Sequence, residues 1–462
     1  MLFSSPEFLV FFAAYFAVHL LIPKSYRVYF IIFGSTIFYA WWKIEYFWLP
    51  YALIGIGYGG VQWIENATEP AARRQRLALT LVCLFLPLAV FKYADFIYRD
   101  VIGLFGGRHE KILDVPLPLG ISFVTFTLTA FVVDIATKKY RPPPPFANAL
   151  AYVLFFPHLI AGPILRPADL LPQLAVPRTW PIRPLVAVGI FTLGLVKKLV
   201  FADTIATMVD AAYSAESPSA PEAICSLYGF AAQIYCDFSG YTDMAIGLAL
   251  LLGIRLPANF KQPYCAVSPI DFWRRWHITL SFWLRDYLYI PLGGNRGGAL
   301  RRFRTIMVTM ILGGLWHGAS WTFVIWGALH GVAISVSHLI RHIRRAGSCD
   351  QLPRWLSVIL TFHFTTFAWV FFRAPTFDKA LVMFRALGEG WKGLPDYLAQ
   401  NIFPLLLVAI FLLLHGHDDH RRIKSISRRV PRVIFLVAIG FGWILAVTIS
   451  QGSSAKFIYF DF

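Results

Sequence analysis

A histidine beside tryptophan and glycine stands within a long apolar stretch in the second half of the chain. His317 follows Trp316 inside Ile311–Gly331, and Trp321 comes four residues later. An ionisable ring at membrane depth is costly and is by default a hypothesis for a functional site. The alternative is a histidine that only hydrogen-bonds a neighbouring helix. Glycines on both sides allow close approach by a substrate, which favours histidine-based acid–base chemistry at this position.

A second histidine lies in the segment Asp271–Ile290. Its tryptophans, including Trp276, fall at helical spacing on one face, and its arginines fall elsewhere. His277 belongs to the tryptophan side of such a helix. The segment is therefore either an amphipathic helix on the membrane surface or a buried helix that brings His277 into a cavity.

Two carboxylates lie in another apolar stretch, Ala223–Ile254. Acidic residues at membrane depth pair with cations or orient a histidine. For Asp243 we favour pairing with an arginine of the segment Asp271–Ile290. Asp237 is equally suited to orient a histidine.

A basic, glycine-rich loop precedes the stretch that holds His317. Asn295 and Arg296 lie between two glycine pairs, and Arg301 follows in the same loop. Backbone N–H groups and arginines of such a loop can hold phosphate. A flexible turn without a ligand is the alternative interpretation. No metal site is predicted, because the histidines lack a matching set of ligands, and no Walker, HExxH or GxSxG motif occurs.

Composition determines the class of protein that positions these residues. Of the 462 residues, 57% are hydrophobic and only 15% are charged, which excludes an ordinary soluble domain. The net charge of +17 resides mainly between apolar runs, as in loops that face an anionic leaflet, so we predict no nucleic-acid partner. The fold prediction is an all-α polytopic membrane protein.

The apolar runs predict about 11 transmembrane helices, with further re-entrant or buried helices. They are Glu7–Ile22, Tyr26–Trp42, Tyr46–Ile64, Leu77–Ile97, Leu117–Thr137, Leu150–Leu165, Leu185–Phe201, Ala223–Ile254 (broken up by its glycines), Leu356–Phe372, Ile402–Leu414 and Val433–Ser450. Basic loops such as those of Arg73 and Arg421 should be cytoplasmic, and the loop of Glu110 and Asp114 external. The N-terminus is then predicted to be external.

The run Thr305–Ile340 is too long for one simple crossing. Its roughly 36 residues would extend about 54 Å as one helix, whereas the hydrocarbon core is about 30 Å thick. Basic residues on both flanks and the glycines predict a hairpin or re-entrant pair with its bend near His317. On a continuous helix, the ring of His330 would point away from that of His317, so His330 should matter less.

Several long motifs occur in an order that resembles the membrane-bound O-acyltransferase family. They are Leu117–Thr127, Phe155–Pro167, Gln233–Gly247, Phe272–Gly298, Leu315–Gly331 and Phe457–Phe462. The sequence is most similar to the bacterial branch that contains the alginate O-acetylation membrane protein. Proteins of D-alanyl transfer to teichoic acid share the WH motif but resemble this chain less around Gly318–Gly327.

The resemblance implies a single membrane domain over residues 1–462 with a central tunnel. It implies catalytic histidines at positions 317 and 277, with Trp316, Trp276, Trp321 and Asp237 as supporting or tunnel residues. It further implies acetyl transfer from cytosolic acetyl-CoA, without a tightly bound cofactor, across the bacterial inner membrane. A periplasmic SGNH-type acetyltransferase, the polysaccharide synthesis and export machinery and membrane lipid are the implied partners.

Within that scheme, His317 would act as general base or as a nucleophilic relay, and His277 would orient the thioester. Asn295, Arg296 and Arg301 would contact the phosphates of the donor. D-alanyl or other acyl transfer to a different cell-envelope polymer is an alternative. A solute transporter or channel, and a scaffold that only anchors a periplasmic enzyme, are alternatives of another class, since intramembrane His and Asp also suit transport.

Overall fold

Every regular element in the described part of the chain is a helix. The computed structural model describes residues 1–106, 116–178, 180–345, 352–450, 455, 457 and 458. The predicted external loop of Glu110 and Asp114, and most of the motif Phe457–Phe462, lie outside these residues. Because no strand occurs among the described residues, the all-α prediction is confirmed for them.

The α-helices are as follows in chain order. They are α1 (Pro6–Leu21), α2 (Arg27–Ala40), α3 (Trp48–Glu65), α4 (Pro70–Leu88), α5 (Ile121–Ala136), α6 (Phe146–Leu154), α7 (Phe156–Leu159), α8 (Pro167–Ala175), α9 (Pro184–Val196), α10 (Asp203–Ser214), α11 (Ala220–Leu251), α12 (Pro269–Trp273), α13 (Ile278–Leu284), α14 (Gly298–His317), α15 (Trp321–Arg345), α16 (Arg354–Arg373), α17 (Phe377–Ala386), α18 (Leu394–Gln400), α19 (Ile402–Leu414), α20 (His420–Arg429) and α21 (Arg432–Ser450).

Five helical segments of the described residues are long and apolar enough to cross a membrane. They are Pro70–Tyr93, Pro184–Ser214, Trp321–Ile343, Arg354–Arg373 and Arg432–Ser450. The pair α18 and α19, bent by 81°, would make a sixth. The chain is therefore a multi-pass membrane protein by composition, but the predicted number of about 11 spans remains a prediction.

One compact unit comprises Met1–Phe191 and Tyr241–Pro257. Glycines let its helices approach closely, because a Cβ at Gly34 would overlap the ring of Tyr15 and one at Gly60 would overlap Thr80. The predicted span Leu150–Leu165 is wrong. Two short buried helices, α6 and α7, replace it, since Phe155 leaves the helical conformation directly before α7 and its Pro157.

The long helix α11 also differs from its prediction. It runs unbroken over 32 residues, although its glycines predicted breaks. These glycines instead allow close contact with α9. A Cβ at Gly240 would lie 2.7 Å from the carbonyl oxygen of Gly194, and a Cβ at Gly247 would lie 2.7 Å from that of Ala187. Glycine therefore serves helix packing here, because no larger residue fits at these contacts.

The other compact unit comprises Thr192–Gly240 and Ala258–Phe462. All candidate residues named from the sequence except Asp243 lie within it. Its helices α14 and α15 form a hairpin that positions His317, and the short helices α12 and α13 position His277.

Candidate functional site

The bend predicted beside His317 is confirmed. Helix α14 ends at His317, Gly318 is extended, and α15 begins at Trp321. The side chain of Ser320 accepts a hydrogen bond from the backbone N–H of Thr322 (3.3 Å), which helps to satisfy the first turn of α15. A side chain at Gly318 would overlap the ring of Phe323, so the tight turn requires glycine.

Small residues hold the two arms of this hairpin together. A Cβ at Gly314 would overlap the carbonyl of Phe323, and one at Gly327 would overlap that of Met310. Small residues at such contacts let helix backbones approach closely in a membrane. The close packing fixes the His317 end of α14 against α15.

Aromatic side chains surround the ring of His317, which is only 3% exposed. Its centroid lies 5.0 Å from that of Trp316 and 5.2 Å from those of Trp326 and Phe372. The sequence predicted Trp316 as a neighbour but missed Phe372, which lies on α16, because its packing partner is distant along the chain.

The two tryptophans at the start of α15 differ in burial. Trp321 begins the helix and is 41% exposed, whereas Trp326 is fully buried and contacts His317. Trp326 is therefore a wall of the His317 site, and the supporting role of Trp321 stays a prediction.

The continuous helix predicted over Asp271–Ile290 is wrong. It breaks between α12 and α13, where His277 adopts φ 41° and ψ 55°, a left-handed conformation. Two backbone hydrogen bonds impose this break. Lys261 N–H donates to the Arg275 carbonyl (2.9 Å), and Ile278 N–H donates to that of Asn259 (2.9 Å). A left-handed non-glycine residue persists only where its surroundings determine it.

His277 is fully buried, which excludes the surface-helix alternative for this residue. Its ring centroid lies 4.7 Å from that of Phe238, 6.0 Å from that of Trp316 and 6.5 Å from that of His317. Its Nδ1 atom is 3.2 Å from Asn259 Oδ1. The structure thus brings the two predicted histidines together. Asn259 was missed because its loop has no periodic pattern.

Trp276 packs on the other side of this aromatic cluster. It is fully buried, with its centroid 4.9 Å from that of Trp369 and 5.1 Å from that of Phe260. Trp369 in turn stacks on Trp326 at 5.6 Å. A chain of rings therefore connects the segment of His277 with the hairpin of His317.

Asp237, which the sequence suits to orient a histidine, pairs with the buried Lys198. Its Oδ1 is 2.7 Å from Lys198 Nζ, and its Oδ2 accepts the backbone N–H of Ile458 at 2.8 Å. Lys198 also pairs with Asp203 at 2.8 Å. A buried charge is stabilised by such pairing. Asn259, rather than Asp237, binds the His277 ring.

The arginines proposed as partners for Asp243 have acidic neighbours of their own. Arg275 pairs with Asp271 at 3.0 Å, and Arg285 pairs with Asp286 at 2.7 Å. The adjacent Asp286 raises the pKa of Arg285. These two pairs lie within the broken segment itself, and the pairing of Asp243 with an arginine of that segment stays a prediction.

The glycine loop is a specific turn. Gly293, Gly294, Gly297 and Gly298 all have positive φ, from 54° to 115°, which disfavours other residues. The side chain of Arg301 packs against Gly293 and Gly297.

Within this loop, Asn295 and Arg296 are exposed. Tyr289 Oη lies 2.8 Å from Asn295 Oδ1, and burial raises the pKa of this tyrosine, so its protonated hydroxyl donates to the amide oxygen. A groove of about 530 Å³ extends from Asn295 between α14 and α15, with Arg302 and His342 in its lining. The loop therefore presents cationic and amide groups beside an open groove.

The argument about His330 from a continuous helix fails, because the bend lies between His317 and His330. His330 is fully buried, and its ring centroid lies 4.8 Å from that of Trp326. Trp273 Nε1–H donates to its Nδ1 at 3.3 Å. The indole of Trp326 therefore lies between the rings of His317 and His330.

In the described residues, no three His, Cys, Asp or Glu side chains converge as a metal site would require.

Comparisons with known proteins add the following similarities. A model of the membrane-bound O-acyltransferase family matches residues 27–374. The probable alginate O-acetylase of Azotobacter vinelandii is 39% identical over 398 residues, covering 84% of this chain and 78% of that protein. The peptidoglycan O-acetyltransferase of Helicobacter pylori is 38% identical over 425 residues, covering 84% and 80%. The teichoic acid D-alanyltransferase of Bacillus subtilis is 26% identical over 315 residues, covering 62% and 79%.

Proposed function

Because this chain belongs to the membrane-bound O-acyltransferase family, we propose that it moves an acetyl group from cytosolic acetyl-CoA across the inner membrane for O-acetylation of an extracytoplasmic polysaccharide such as alginate. The chain is an enzyme, a membrane O-acyltransferase. The names of the two most similar relatives described above specify acetyl transfer, which supports an acetyl group over a D-alanyl group.

The observation that supports this proposal most directly is the pair of buried histidines. The centroids of His277 and His317 are 6.5 Å apart within an aromatic cluster that excludes water. A neutral imidazole has one ring nitrogen with a free lone pair, which can accept a proton. Acyl transfer to a hydroxyl needs a group of this kind.

In the proposed reaction, His317 takes the proton of the accepting hydroxyl as its oxygen attacks the acyl carbon. The new C–O bond forms, the C–S bond of the thioester breaks, and the proton passes from the imidazolium to the leaving thiolate. Alternatively, His317 first carries the acyl group itself and then transfers it to the hydroxyl. His277 positions the reacting groups beside it.

The glycine loop is the proposed site for the phosphates of the donor. Asn295 and Arg296 are exposed there and free of the packing that engages Arg301 against the glycines. Arginine and backbone N–H groups are suited to phosphate oxygens. Acetyl-CoA would then be bound reversibly as a substrate, with no tightly held cofactor.

The proposed partners are a periplasmic SGNH-type acetyltransferase that completes transfer to the polymer, and the polysaccharide synthesis and export machinery. About 11 spans with a periplasmic N-terminus fit this scheme, with the basic helix α20 in the cytoplasm. A cysteine at exposed Arg421, labelled by an impermeant thiol reagent from outside intact cells at a level above the parent chain, would contradict that orientation.

One alternative acyl transfer is supported by a relative of this chain. Transfer of D-alanine or another acyl group to a different envelope polymer is supported by the similarity to the teichoic acid D-alanyltransferase. The transporter or channel alternative has no support among the relatives described above, which are all named as acyl-transferring enzymes.

The decisive experiment compares His317→Ala with His363→Ala at matched membrane levels. His363 lies on α16, and its Nδ1 is 2.8 Å from the carbonyl oxygen of Ile359 in the same helix. Acetyl transfer from labelled acetyl-CoA to polymer should fall by about 10²–10⁴-fold for His317→Ala, because positioned acid–base catalysis contributes that much. The His363→Ala control should retain activity.

Near-normal acetylation by His317→Ala would disprove the mechanism. Polymer labelling from a D-alanyl donor, without labelling from acetyl-CoA, would favour the alternative acyl group instead. The amount of each variant in the membrane fraction is measured, and activity is compared per amount of folded protein.

A further inference from the structure

We propose that Asn259 is a positioning residue that holds His277 as the Nδ1–H tautomer, so that its Nε2 lone pair accepts a hydrogen bond from a substrate hydroxyl. This inference rests on the proposed function for the role of His277. Sequence patterns do not select Asn259, which is 18 residues away from the histidine and 1% exposed.

The orientation of the Asn259 amide follows from its donors. Asn259 Oδ1 accepts the backbone N–H of Thr279 at 3.1 Å and the hydroxyl of the same residue at 2.8 Å. A backbone N–H is always a donor, so the atom that it meets must be the amide oxygen. An amide turned the other way would place an NH₂ group against that N–H.

The tautomer of His277 follows from the amide orientation. Its Nδ1 lies 3.2 Å from the same Oδ1, which only accepts, so Nδ1 must carry a hydrogen. In a neutral ring the other nitrogen then has a lone pair and no hydrogen. Nε2 has no hydrogen-bond partner among the residues that the structure describes. It is therefore the nitrogen available to a substrate.

The main chain of Asn259 places the ring as well as selecting its tautomer. Its carbonyl accepts the N–H of Ile278 at 2.9 Å, directly after the left-handed His277. One residue thus supports both the strained backbone of His277 and the hydrogen on its Nδ1. A buried backbone conformation of this kind requires such a support.

This assignment sharpens the role of His277. A lone pair on Nε2 repels the carbonyl oxygen of a thioester and attracts the hydrogen of a hydroxyl. His277 is therefore suited to align the accepting hydroxyl for attack, and not to polarise the acyl carbonyl through Nε2. His317, 6.5 Å away between centroids, then takes the proton or carries the acyl group.

The tautomer can be measured without any activity assay. Solid-state ¹⁵N NMR of the full chain in lipid, labelled in histidine, is compared with the same spectrum of His277→Ala. The resonances that disappear should be those of a ring protonated at Nδ1 and unprotonated at Nε2. A ring protonated at Nε2 would overturn the proposal, whether or not the protein transfers acetyl groups.

The second test uses Asn259→Asp, which keeps an acceptor for Thr279 and for the ring. A carboxylate beside the ring favours the imidazolium, which has no lone pair. As the pH is lowered, the variant should therefore begin to lose activity at a higher pH than the wild type does. The ratio of variant to wild-type activity should be about tenfold lower at pH 6 than at pH 8.5. A ratio that stays constant between these two pH values would indicate only a structural role and would overturn the positioning role.

Thr279→Val is the matched control for Asn259→Asp. It removes the 2.8 Å hydroxyl bond but keeps the backbone N–H that orients the amide, so its pH profile should follow the wild type. Full activity of His277→Ala would refute the role of His277 in the reaction while leaving the tautomer result intact, whereas absence of acetyl transfer by the wild type would refute the proposed function. The two failures are therefore distinguishable.

Discussion

His277 and His330 are two histidines with equal burial and opposite hydrogen-bond partners. Both are fully buried, and both contact aromatic rings. Each uses Nδ1 for one side-chain hydrogen bond, at 3.2 Å to Asn259 Oδ1 and at 3.3 Å to Trp273 Nε1. The amide oxygen only accepts, whereas the indole N–H only donates.

The partners therefore give the two rings opposite chemistry. His277 has its hydrogen on Nδ1 and a lone pair on Nε2, whereas His330 accepts at Nδ1 and has its hydrogen on Nε2. Both rings are fully buried, so burial does not distinguish them. The neighbour of Nδ1 decides which ring can accept a hydrogen from a substrate at Nε2, and it favours His277.

The largest expected contrast is between His277→Leu and His330→Leu, which replace each ring by an apolar side chain. Acetyl transfer should fall by about 10²-fold for His277→Leu, less than for His317→Ala, because the group that aligns the hydroxyl is lost while the proton acceptor stays. His330→Leu should lose far less activity but should lower thermal stability, because the N–H of Trp273 is left without its acceptor.

Both variants are compared at equal amounts of monodisperse protein in detergent. Equal loss of activity from the two variants, at equal folded amount, would refute the contrast between the rings. It would indicate instead that Trp326, which contacts both His317 and His330, couples the two histidines into one site.

A smaller effect is expected from Trp273→Phe. This change removes the donor to His330 Nδ1 and keeps a ring beside Phe272 and Trp326. One neutral hydrogen bond contributes about 1 kcal/mol, so activity should change by about fivefold or less. In the ¹⁵N NMR spectrum the His330 resonances should shift while those of His277 stay in place. A shift at His277 would show that the two sites are not independent.

The sequence was sufficient to predict the bend at His317 but not the break at His277. The bend follows from quantities that are local in sequence, namely a run too long for one crossing and glycines beside the histidine. The break at His277 depends on bonds from Asn259 and Lys261, which come from a separate loop. Helical spacing of tryptophans therefore predicted a continuous helix where tertiary bonds impose a left-handed residue.

The glycines also predicted helix breaks only in part. In α11 they predicted breaks, but the helix is continuous. Two of its glycines instead pack closely against the backbone carbonyls of Gly194 and Ala187. At Gly318 the same residue type does end a helix. The two cases differ in what packs against the glycine. In α11 it is the backbone of a neighbouring helix, and at Gly318 it is an aromatic ring across a turn. Both are tertiary contacts that the local sequence does not specify. The contact between Trp326 and His317 is of the same kind.

The smallest expected effect lies outside this buried cluster, at Arg296. His277 and His330 are buried and hydrogen-bonded to fixed partners, whereas Arg296 is exposed on a turn held by glycines. An exposed charge contributes little in water, so Arg296→Ala should raise the apparent KM for acetyl-CoA by about two- to threefold without changing kcat.

Salt should reduce this difference, since screening weakens exposed charge pairs. Arg296 is the sharper choice than Arg301, because removing Arg301 would also remove its packing on Gly293 and Gly297. An unchanged KM at low salt would show that the loop is only a turn. A fall in kcat with unchanged KM would place Arg296 in the chemical step and break the contrast between the buried cluster and the exposed loop.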